Sequence, residues 1–131
     1  MNDLEGLSAL IIEPHSGMRA SLHNMLNMLG LGKIVDAQTS NQAIKFLDRR
    51  SFDLVLCEYD LGGGQDGQQL LEDLRHNNLI ALSTMFIMVT AENKTENVIA
   101  AKQAGVNNYI VKPFNAITLK QKIEAVIGPI D

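Results

Sequence analysis

Five short, uninterrupted apolar runs recur along the chain, at Leu7 to Ile12, Ile34 to Ala37, Leu54 to Cys57, Phe86 to Val89 and Tyr109 to Val111. A strand with one wet face alternates apolar and polar residues, whereas a continuous run suits a strand covered on both faces, as in a parallel sheet. The intervening segments carry helical spacing. Met18, Leu22, Met25, Leu26 and Leu29 form one stripe, with Ser16 as the expected N-cap and Gly30 as the expected C′ residue. Ala43, Ile44 and Leu47 form a second stripe, Leu70, Leu71 and Leu74 a third, Val98, Ala101 and Ala104 a fourth closed by Gly105, and Leu119, Ile123, Val126 and Ile127 a fifth. Such β-α alternation predicts an open parallel sheet with helices on both faces and right-handed crossovers. At 131 residues the chain has room for one core, so a single domain over 1–131 is expected.

Charge narrows the partners. The formal net charge is −4 and no dense Lys/Arg run occurs, which argues against a nucleic-acid or anionic-membrane footprint and for a protein partner. No stretch reaches the ~18 apolar residues of a membrane span, and Asp3 and Glu5 stand where a signal peptide would be basic, so a cytoplasmic location is expected. The lone Cys57 excludes an internal disulfide and is expected to be an inert core thiol.

In open α/β sheets ligands bind beyond the carboxyl ends of the strands. The residues there are Glu13 and Pro14, Glu58, Thr90 and Ala91, and Lys112 and Pro113. Two carboxylates, a hydroxyl and an ammonium form a set able to hold a hard divalent cation and a phosphoryl group. Solvated loops also collect polar residues, but four of them at four strand ends favour a site.

The stretch Leu10-Ile-Ile-Glu-Pro-His-Ser-Gly-Met-Arg19 resembles the opening of a response-regulator receiver domain of the chemotaxis-regulator type. Phe52-Asp-Leu-Val-Leu-Cys-Glu58 resembles its phosphoacceptor strand, with Asp66-Gly67 opening the next helix. Ala104-Gly-Val-Asn-Asn-Tyr-Ile-Val-Lys-Pro-Phe114 resembles its last strand. This resemblance covers nearly the whole chain. It implies a flavodoxin-like doubly wound sheet of five strands in the order 2-1-3-4-5 with five helices, in a bacterial phosphorelay protein standing alone or as the N-terminal part of a longer regulator. It also implies that Thr90 is the hydroxyl that follows the phosphoryl group, Tyr109 the switch aromatic and Lys112 the phosphate-contacting ammonium, before a cis Pro113. The partner, a histidine kinase, phosphotransfer protein, output domain or second copy of the chain, is expected on the face formed by the fourth helix, fifth strand and fifth helix.

Two positions depart from the family pattern. Pro14 stands where the family places a metal-binding carboxylate and offers no side-chain ligand. Glu58 replaces the phosphoacceptor aspartate, and its extra methylene moves the carboxylate by ~1.5 Å, where ~1 Å can cost on the order of a hundredfold in rate. A Mg²⁺ site made of Glu13, Glu58 and Asp60 is therefore expected to be weak. A degenerate receiver acting by protein contact, not an enzyme, is the main expectation. The alternative is a Mg²⁺-dependent receiver accepting phosphate at Glu58 or at Asp60.

Other motifs carry less. Gly62 to Gly67 matches G-x-G-x-x-G but follows the third strand instead of the first, so it does not read as a dinucleotide site. His15 beside Glu13 and Glu58 fits a transition-metal set, yet a solvated loop histidine is the simpler expectation. His23 falls in the first helix, and His76 ends the third, where a cation complements the dipole. Asn77-Asn78 and Asn107-Asn108 are expected in turns.

Overall fold

The structure, a computed structural model, describes residues 4–91 and 106–128. The strands are β1 (Ser8–Ile12), β2 (Lys33–Ala37), β3 (Leu54–Glu58), β4 (Met85–Thr90) and β5 (Asn108–Val111). All pairings are parallel, in the order β2-β1-β3-β4-β5. Between the strands lie α1 (Ser16–Met28), α2 (Ser40–Arg49) and α3 (Gly67–His76), and a C-terminal helix (Ala116–Ile127) follows β5. The helix expected around Val98, Ala101 and Ala104, with Gly105 at its end, lies outside the described residues.

Continuous apolar runs become two cores because successive strand residues point to opposite faces. Leu10, Ile12, Val55, Cys57, Phe86, Met88 and Tyr109 pack against Ala43 and Leu47 of α2 and Leu70, Leu71 and Leu74 of α3. Ala9, Ile11, Leu54, Leu56, Ile87, Val89 and Ile110 pack against Leu22 and Leu26 of α1 and Leu119 and Ile123 of the C-terminal helix. The expectation of burial on both faces holds for β1, β3 and β4 and fails for β2, where Lys33 and Asp36 are exposed. β2 is an edge strand, and charged residues there discourage pairing with other chains.

Gly30 fulfils its expected role. With φ 107° it lets Leu31 N–H reach Leu26 O at 3.1 Å and its own N–H reach Asn27 O at 3.0 Å, a complete Schellman closure. Three local expectations fail. His15, not Ser16, is the N-cap of α1, and it makes no side-chain cap, because His15 still has extended backbone (φ −82°, ψ 120°) while Ser16 is already the first helical residue. Val126 is 37% exposed, since the C-terminal helix buries only Leu119 and Ile123 fully. Asn78 does sit at positive φ after α3, but Asn107 and Asn108 serve the sheet. Asn107 accepts from Phe86 N–H at 2.6 Å through Oδ1 and donates its N–H to Phe86 O at 2.7 Å, so its amide imitates a strand neighbour. Asn108 opens β5 and donates to Lys122 O at 3.2 Å.

Candidate functional site

Register places the chemistry. Ile12 pairs with Cys57, Glu58 with Val89, and Thr90 with Val111, so Glu13, Glu58, Thr90 and Lys112 all emerge at one edge of the sheet. Glu13 N–H still reaches Ala37 O at 3.0 Å, and Lys112 N–H reaches Thr90 O at 2.8 Å, which carries the ladder one residue past the strand ends. The Lys112–Pro113 bond is cis.

The centre of the site is an ion cluster. Lys112 Nζ donates to Glu13 Oε1 at 2.7 Å and to Glu58 Oε1 at 3.1 Å, and Glu58 Oε2 accepts from Tyr59 N–H at 2.6 Å. Glu13 is 1% exposed and Glu58 7%, so the two carboxylates reside largely out of water. Glu13 Oε2 is buried without a hydrogen-bond partner among the described residues. Burial works against the Lys112 ammonium, but its hydrogen bonds to Glu13 and Glu58 and their charges outweigh that, and its pKa is raised. The Cys57 thiol beneath is pushed far up, first by burial and then by the Glu58, Glu13 and Asp66 carboxylates, so it stays protonated and inert.

Above the cluster opens a cleft of about 710 Å³ lined by His15, Glu58, Tyr59, Asp60, Asp66, Thr90, Ala91 and Lys112. Thr90, which lines it, is buried, and so is Glu13, which does not line it. Asp60 lies on the cleft, where its Oδ1 accepts from Gly62 N–H at 3.0 Å. Asp66 caps α3 by accepting from Gln69 N–H, with Gln69 returning a bond to the Asp66 amide. Tyr109 is only 5% exposed and packs in the core on the α2–α3 face.

The donors suit a divalent cation poorly. Mg²⁺ takes six oxygens in near-octahedral array. Here Glu13 and Glu58 are already joined by an ammonium, Asp60 is engaged in its own turn, and Pro14 contributes no side-chain oxygen. Among the described residues no three His, Cys, Asp or Glu side chains converge as a metal site.

Two contributors escape sequence reading. Arg19 Nη1 donates to the carbonyls of Glu13 and Pro14, and Gly67 brings α3 into contact with the end of β3. Gly67 was legible as the residue that opens α3 and as part of a formal glycine motif, but its close approach to the end of β3 was not, and nothing in the helical stripe of α1 singles out Arg19.

Comparison with known proteins agrees with this architecture. Residues 9–124 match the response regulator receiver domain. The chain is 37% identical over 122 residues to the chemotaxis protein CheY-3 of Vibrio cholerae, covering 93% of this chain and 92% of that protein. It is 36% identical over 120 residues to the chemotaxis protein CheY of Pseudomonas aeruginosa, covering 92% and 95%. Among solved structures, the chemotaxis response regulator CheY4 of Vibrio cholerae superposes with a TM-score of 0.82 at 21% identity, covering 92% of this chain and 98% of that one. A two-component response regulator from Clostridium difficile gives 0.82 at 25% identity, covering 92% and 95%. With the parallel five-stranded order and the charged strand ends in place, the chain belongs to the response regulator receiver domain family.

Proposed function

We propose that this receiver is a pseudo-receiver that signals through protein contact without being phosphorylated. The observation that carries the reading is the Lys112 ammonium shared between Glu13 and Glu58. In the family reading Lys112 holds a phosphoryl oxygen, and here a permanent carboxylate already takes that bond. Glu58 supplies a charge of −1 against the ~−1.5 to −2 of a phosphate group, but supplies it constantly. Its second oxygen is held by Tyr59 N–H, so the carboxylate is not free to turn for in-line attack. Because Pro14 brings no metal-binding oxygen, a cation that would spread the charge of the transferring group is held weakly, and the transfer is stabilised less.

The partner, a kinase, phosphotransfer protein, output domain or second copy, binds the face that includes β5 and the C-terminal helix. That assignment is supported by the exposed apolar side chains of Val111, at 38%, and Ile117, at 67%. A cytoplasmic location goes with this reading as a receiver; among the described residues no helix is long and apolar enough to cross a membrane.

Intact-mass spectrometry after incubation with Mg²⁺ and acetyl phosphate tests the reading. The wild-type chain is expected to gain no phosphoryl adduct, while Pro14→Asp/Glu58→Asp, which restores both acidic positions, is expected to gain one. An adduct on the wild type overturns the pseudo-receiver and directs mapping to Glu58 and Asp60.

A further inference from the structure

β1 runs into α1 through Pro14 and His15, and this turn lacks the device that starts each of the other helices among the described residues. Thr39, Asp66 and Asn115 each accept a backbone N–H from the first turn of the helix that follows. His15 makes no such bond. Pro14 has no N–H, so the turn cannot be tied from its own amide. The tie comes instead from Arg19, whose Nη1 donates to Glu13 O at 2.8 Å and Pro14 O at 3.2 Å. A cation near a helix N-terminus opposes the helix dipole, so these two carbonyls, not the helix, support the guanidinium there.

We infer that Arg19 is a positioning residue for the Glu13 carboxylate. The backbone of Glu13 is held from both sides, its N–H by Ala37 O of β2 and its carbonyl by Arg19 of α1. With both ends fixed and the side chain buried, the carboxylate is held where Oε1 meets Lys112 at 2.7 Å. Arg19 thereby ties α1 to the ion cluster without touching it. This holds whether or not the site accepts a phosphoryl group, so it stands apart from the pseudo-receiver reading.

The test follows the side-chain carboxyl carbon of Glu13 by NMR in the full chain, with the exposed Glu72 as reference. In Arg19→Gln the Glu13 resonance is expected to move towards that of Glu72, and in Arg19→Lys, which can reach one carbonyl, to fall between the wild type and Arg19→Gln. A purely structural role lowers the unfolding midpoint but leaves the Glu13 resonance in place, and that result overturns the inference. Should Arg19→Gln fail to fold, Arg19→Lys decides alone. A displaced Glu13 resonance then supports positioning, and an unmoved one refutes it.

Discussion

Lys112→Met is expected to lower the unfolding free energy by about 3–5 kcal/mol, the range for removing one partner of a buried ion pair. The loss comes less from the missing bonds than from what they leave behind. Glu13 and Glu58 would face each other as like charges, one of them 1% exposed and with an oxygen already unpartnered among the described residues. Urea unfolding at neutral pH measures the effect. Glu13→Gln/Lys112→Met should recover part of the loss, because the deeper carboxylate is then neutral. A single variant within 1 kcal/mol of wild type would mean that water or rearrangement solvates the carboxylates and that the cluster is loose.

The pH dependence of that difference has a definite sign. The folded-state pKa of Lys112 lies above the ordinary lysine value. The stabilisation linked to its proton is therefore fully present below the unfolded-state pKa and is lost as pH rises through the folded-state value. The gap between wild type and Lys112→Met should stay constant from neutral into mildly alkaline solution and narrow only above the ordinary lysine range. A gap that closes nearer neutrality contradicts the upward shift.

The four charged or polar strand ends were legible in sequence because parallel topology brings them to one edge whatever the side chains do. Glu13 and Lys112 are 99 residues apart in the chain, yet each lies one step past its strand, so counting along the apolar runs suffices to bring them together. Gly30 was legible for a similar reason, since a helix stripe followed by glycine has few other endings. What escaped depends on the path of single loops. The N-cap of α1 falls on His15, whose backbone is still extended, with Ser16 already helical, and Asn107 reads as a turn residue until its amide is seen bonding Phe86 as a strand would. The edge position of β2, by contrast, followed from the 2-1-3-4-5 order that the resemblance implied, and its exposed Lys33 and Asp36 agree with it. Sharing of one ammonium by two carboxylates is a matter of tenths of an ångström, beyond any pattern of residue types.

Gly67→Ala is the second large effect, expected to destabilise by about 3 kcal/mol, at the upper end for overpacking. A Cβ on Gly67 would lie 2.5 Å from Glu58 O, 2.9 Å from Met88 Sδ and 3.1 Å from Tyr59 Cα. Met88 is buried and can yield little, while the other two atoms are backbone, so α3 must move off the end of β3. That movement also breaks the Gly67 N–H bond to Tyr59 O, 2.7 Å long, and Tyr59 is the residue whose N–H holds Glu58 Oε2. Gly63→Ala, in the same glycine run, meets nothing within 4 Å and requires no positive φ, so it should be neutral or slightly stabilising through the unfolded chain. Paired urea midpoints for the two variants separate close packing from loop flexibility as the reason for a glycine at position 67. Equal midpoints would mean that α3 can withdraw from β3 at no cost, and that Gly67 does not set the position of Glu58.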